Sequence, residues 1–172
     1  ITVSNRNMMK QYTNELTADV LAEQNESSFS AKELADMSDD ARAVVLEQEA
    51  FCRAHPVTAI YRVAVAGCLT RRGGTGAEFN PNPEEGYKIR LENGQWVSVL
   101  TEGCSVIYPD GSTARIISSA GKQHTYDGRG IALVGSVLDN GDEIISTPQN
   151  SLMIVARDGV PMGEDFLAVS RG

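Results

Sequence analysis

The chain has 172 residues, 41% apolar and 22% charged side chains, and a net charge of −8. That size and balance suit one globular domain, or a small one with an extension, and the acidity argues against nucleic acid, whose phosphates need clustered Lys and Arg. No apolar run approaches the length of a membrane-spanning segment, and the first residues lack the pattern of a signal peptide.

Residues 1–58 hold ten acids and five bases and read as an α-helical N-terminal extension. Leu16, Val20 and Leu21 fall at helical spacing within 13–26. Ser30 with Glu33 matches a capping box and opens a short turn through Met37. Ser38 precedes Asp39 and Asp40, which suit the positive end of a helix dipole. The run to Ala54 sets Ala41, Val44, Val45, Gln48, Phe51 and Cys52 on one broad face, and Pro56 stops it. This third is either a packing appendage or a docking segment for a chaperone or effector.

From residue 59 the period changes to short β segments and glycine turns. Three strands, Val63–Ala66, Val97–Glu102 and Ile131–Val134, each run into a glycine, at positions 67, 103 and 135. Between them recur Asn93-Gly94, Asp127-Gly128 and Asp158-Gly159, dipeptides that favour tight hairpin turns because both residues tolerate positive φ. A unit of about 30 residues cannot bury an apolar face alone, so three copies must stack or close about an axis. The expected fold is mainly β: a compact three-repeat, pseudo-three-fold cone over residues 59–172, with its core at about 60–150.

Other features read as ordinary. Cys52, Cys68 and Cys104 are an odd set at wide spacings and suit unpaired thiols. Gly73-Gly74-Thr75-Gly76 lacks the Lys-Ser/Thr of a phosphate loop. Asp139, Asp142 and Glu143 lack cation-loop spacing and read as a solvated turn. Trp96 is expected in core or interface packing. Asn80-Pro81-Asn82-Pro83 marks a polar loop inside an insertion from Thr75 to Tyr87. No nucleophile–base pair or metal box is present, so no enzyme is expected.

The three loops read Gly67-Cys68-Leu69-Thr70-Arg71-Arg72-Gly73-Gly74, Gly103-Cys104-Ser105-Val106-Ile107-Tyr108-Pro109-Asp110-Gly111 and Gly135-Ser136-Val137-Leu138-Asp139-Asn140-Gly141. They resemble the loops Gly-Asp-x-Thr-x-His-Gly-Gly, Gly-Asp-x-Val-x-Cys-Pro-x-His-Gly and Gly-Asp-x-x-x-Cys-Gly of the proline-alanine-alanine-arginine (PAAR) repeat family. That resemblance implies a conical, non-enzymatic tip on a trimeric VgrG-like spike of a type VI secretion or phage-like injection apparatus. It also implies assembly in the bacterial cytoplasm and export through the apparatus, with a role in sharpening the spike or carrying cargo. The family's tip binds zinc through His and Cys. The matching tip-loop residues here are Arg72 and Gly73, Tyr108 and Asp110, and Asn140, which are no zinc set, so no cofactor is expected. Two alternatives stand beside this one: a metal-free β-repeat binding module unrelated to secretion, and the carrier region of a secreted toxin.

Overall fold

The structure, a computed structural model, describes residues 10–25, 29–79 and 86–169. It is mainly β, with three helices and several small sheets. The chain divides into two compact units. A β unit takes the described residues up to Asn14, Tyr61–Ile154 and those from Met162 onward, and a helical unit takes Glu15–Ile60 and Val155–Pro161.

The helices are α1 (Ala18–Asn25), α2 (Ala31–Asp36) and α3 (Asp39–Ala54). The capping box at α2 forms as the sequence predicts: the Glu33 N–H donates to Ser30 Oγ, and the Ser30 N–H donates to the Glu33 carboxylate. At α3 the Ala41 N–H donates to Ser38 Oγ. Arg42 on α3 then satisfies the carbonyls that α2 leaves open, donating to the oxygens of Leu34, Ala35 and Met37, the groups every helix C-terminus must dispose of. The helix expected over 13–26 begins only at Ala18, and residue 26 lies outside the described residues. Residues 10–14 are no helix. Tyr12 pairs with Thr147 through two backbone bonds, 2.8 and 2.9 Å, and Asn14 donates to the Val134 carbonyl and accepts from the Arg62 N–H. Where the sequence suggests one boundary at residue 58, the chain divides into units that it enters more than once, going from the β unit to the helices and back.

Strand β1 (Val57–Arg62) pairs with β11 (Met153–Arg157). In the β unit, β2 (Leu69–Thr70), β3 (Thr75–Gly76), β6 (Ser105–Ile107), β7 (Thr113–Arg115) and β10 (Ile144–Ser146) form one sheet in the order β10-β2-β3-β6-β7. Bridges Ile116↔Leu138 and Val137↔Glu143 carry the pairing from the β7 side back to β10, so the sheet closes on itself and loses its edges. Two further hairpins stand apart, β4 (Lys88–Arg90) with β5 (Trp96–Ser98) and β8 (Thr125–Tyr126) with β9 (Arg129–Gly130).

Three hairpins of this closed sheet share one turn. The N–H groups of Thr70, Tyr108 and Leu138 donate to the carbonyls of Gly74, Ser112 and Asp142, and those of Gly73, Gly111 and Gly141 donate back to Thr70, Tyr108 and Leu138. The three glycines have φ of +89°, +87° and +86°, the left-handed position of a three-residue hairpin loop. Beneath them three buried segments pair mutually: Val63↔Leu133, Val65↔Val99 and Thr101↔Ile131. At the centre the Ala64 N–H donates to Ala132, Ala132 to Leu100 and Leu100 to Ala64, at 2.9, 2.9 and 3.0 Å. All three residues are fully buried, among Val65, Val99, Leu133 and Cys68.

Trp96 does not enter the core: it is 47% exposed, while Val97 beside it on β5 is buried. The Asn80–Pro83 loop lies outside the described residues. Among the described residues the three cysteines are free, and no helix is long and apolar enough to cross a membrane.

Two measurements check this core. A Cβ on Gly76 would stand 2.6 Å from Cys68 Sγ and 2.8 Å from Leu100 Cδ1, so Gly76→Ala is expected to cost about 1–3 kcal/mol in urea unfolding. Burial pushes the Cys68 thiol up to about 12. It therefore stays unalkylated by iodoacetamide at pH 8 until the protein is unfolded.

Candidate functional site

The three glycine hairpins bring the sequence-predicted tip residues together. Arg72, Tyr108, Asp110 and Asn140, with Pro109 and Ser112, line one open hollow of about 350 Å³. Gly73 shapes the first loop through its positive φ. Arg72 Nη1 donates to the Asn140 carbonyl at 2.9 Å, and Asn140 Nδ2 donates to Tyr108 Oη at 2.9 Å. Asp110 stays within its own loop, taking the Ser112 N–H and hydroxyl at 2.9 and 2.6 Å. These bonds from Ser112 hold its carboxyl below the ordinary value.

The group that ties the hairpins together is Asp142, which the sequence places in a solvated turn. Asp142 is 2% exposed. Its Oδ2 accepts from Tyr108 Oη at 2.6 Å, and its Oδ1 accepts from the N–H of Arg72 at 3.1 Å and of Glu143 at 2.8 Å. Thr70 Oγ1, which accepts from the Gly74 N–H, helps hold the pKa of the same carboxylate down. One carboxylate on the third hairpin thus holds the first through Arg72 and the second through Tyr108. Burial raises its pKa, but the bonds from Thr70, Tyr108, Glu143 and Arg72 outweigh this and keep it below the ordinary value. Desolvation and the same anion push the Tyr108 phenol up. Room for this arrangement comes from Gly74, where a Cβ would meet Val106 Cγ1 at 2.5 Å and Thr70 Oγ1 and Tyr108 Cε1 at 2.9 Å. Outside the knot, Arg71 pairs with Glu143 at 2.5 Å.

These residues do not fit the zinc that the family resemblance implies. The loops offer a guanidinium, a phenol and an amide where His and Cys would stand, and among the described residues no three His, Cys, Asp or Glu side chains could hold a metal together. His124 lies away from the hollow-lining residues, and His55, in the helical unit, lies within hydrogen-bond distance of the Asp158 carbonyl, 2.8 Å. Where the family carries Asp after each strand-ending glycine, this chain has Cys68, Cys104 and Ser136. Cys104 Sγ accepts from the Thr101 N–H at 3.4 Å and Ser136 Oγ from the Leu133 N–H at 2.9 Å, so both brace the turn that precedes the hairpin.

No protein-family model, no curated protein and no solved structure matches the chain.

Asp142→Asn tests the knot. An amide must point its NH2 either at two backbone N–H donors or at a phenol oxygen already taking Asn140, so one buried bond is lost. The expected cost at pH 7 is about 1–3 kcal/mol. Because the folded-state pKa is depressed, the wild-type contribution is complete above the unfolded value, near 4, and is lost as pH falls through the folded pKa. Urea midpoints measured from pH 6 down to pH 2 should therefore fall more steeply for wild type than for Asp142→Asn. Parallel curves would remove Asp142 from the knot.

Proposed function

We propose that the β unit is a non-enzymatic, pseudo-three-fold tip that caps a trimeric VgrG-like spike of an injection apparatus. The helical unit would serve as an adaptor for cargo or a chaperone. The observation that carries this reading is the threefold recurrence of one hairpin above three segments, each bonded to the other two. A single chain with three like faces can meet the three identical ends of a homotrimer at once, whereas an asymmetric cap would satisfy one. The Asp142 knot supplies at the tip the cross-hairpin tie that a zinc supplies elsewhere in the family, and it needs no metal. Assembly in the bacterial cytoplasm and export with the spike follow from the same role.

The departure of all tip ligands from the family pattern favours a second reading, a metal-free β-repeat module that binds a ligand in the hollow between Arg72, Tyr108 and Asn140. A carrier region of a secreted toxin is a third.

Mixing the chain with a homotrimeric β-helical spike protein separates these readings. Sizing with light scattering should give one chain per spike trimer. Absence of a complex, or three chains per trimer, would exclude the cap.

A further inference from the structure

The net charge of the chain is shared unevenly. The helical unit, residues 15–60 and 155–161, holds eleven acids against four bases, a net of −7, and the rest of the chain holds twelve against eleven, a net of −1. The same unit carries exposed apolar side chains. No residue of α1, α2 or α3 is buried. Val44 and Phe51 on α3 are 55% and 50% exposed, and seven residues apart they share a face. The stripe runs on past the helix end. The Phe51 ring lies 4.5 Å from that of His55, His55 stands against Gly159, and Val160 beyond it is exposed. Asp40 and Glu47, both exposed, sit four residues before Val44 and Phe51 and edge the same face.

We propose that this stripe is a docking surface for a basic amphipathic helix of another protein. An exposed apolar strip on α3 suits a helix laid along it through its own apolar side chains. The flanking Asp40 and Glu47, and the charge of the whole unit, select Lys and Arg at the partner's margins. A second copy of this chain brings the same negative unit and is repelled, as are nucleic acid and an anionic membrane. The site lies wholly in the helical unit and deepens the adaptor role given to it above, without depending on what the β unit caps.

The test uses the full chain and a labelled Leu/Lys amphipathic peptide about five turns long, followed by fluorescence anisotropy. Binding is expected to weaken about tenfold in Val44→Glu/Phe51→Glu and in Asp40→Lys/Glu47→Lys, and to fall with added salt. A peptide of the same composition in scrambled order should also bind about tenfold more weakly. Circular dichroism checks the fold of each variant, and because Asp40 lies in the first turn of α3, where an acid favours the helix, Glu47→Lys alone, mid-helix and exposed, gives the answer if either pair disturbs folding. Equal affinity for wild type and both variants, or for ordered and scrambled peptides, would overturn the proposal. So would a wild-type dimer in sedimentation that Val44→Glu/Phe51→Glu splits, since a second copy would then cover the stripe. Spike capping by the same variants should stay at the wild-type level, so failure here and failure of the cap are read separately.

Discussion

Three backbone hydrogen bonds, Ala64 to Ala132 to Leu100 to Ala64, are the constraint on which the β unit rests. All three peptide groups are sealed from water, and a buried peptide group without a partner costs about 1–3 kcal/mol. Two of the segments cannot satisfy each other and leave the third to water, because each needs one neighbour as donor and the other as acceptor. The three repeats therefore stand or fall together. The small side chains of Ala64 and Ala132 let the backbones close, and Val65, Val99 and Leu133 fill the space around them.

From that triangle the chain has one way out in each repeat. A turn at Gly67, Gly103 or Gly135, each with positive φ, sends it into a hairpin, and the sheet pairings β10 with β2 and β3 with β6, with the Ile116↔Leu138 bridge, hold the hairpins side by side. The far ends then meet. A carboxylate is suited to that meeting because it offers several acceptor positions on two oxygens. Asp142 takes Tyr108, Arg72 and Glu143, whereas the amide of Asn140 or the guanidinium of Arg72 would bring donors where donors already are.

Much of this frame could be read in advance, and the parts that could be read are local. The Ser30/Glu33 box, the Ser38 cap and the positive-φ glycines each follow from the few residues around them. Arg72, Tyr108, Asp110 and Asn140, which the resemblance to the PAAR loops singles out, line one hollow. What escaped depends on partners far away in the chain. Asp142 looks solvated beside Asn140 and Gly141, and only its contacts with residues 34 and 70 positions earlier bury it. A signal was available: the same alignment sets Asp142 opposite Gly74 and Ser112, so a charged side chain faces an emptied position. Residues 10–14 have no periodicity that marks a strand, since Tyr12 and Asn14 find their partners across the unit. Of the core or interface place that the bulk of Trp96 suggests, its exposure at the edge of β5 removes the core.

The way residues 10–14 are held bears on what the chain can carry. Asn14 Oδ1 accepts from the Arg62 N–H at 2.8 Å, and the Arg62 guanidinium donates to the Thr13 carbonyl and to Asn150 Oδ1. The two points between which residues 15–60 leave and rejoin are thus already fastened together. For the β unit that stretch is a closed loop, and the entropy of closing a loop grows only as the logarithm of its length, about 0.6 kcal/mol per doubling. Up to Pro56, ahead of the β1–β11 pairing, its length can change at little entropic expense to the unit that anchors it. The helices are tied to the β unit at their two ends, whereas the β unit is tied to itself through its own closure.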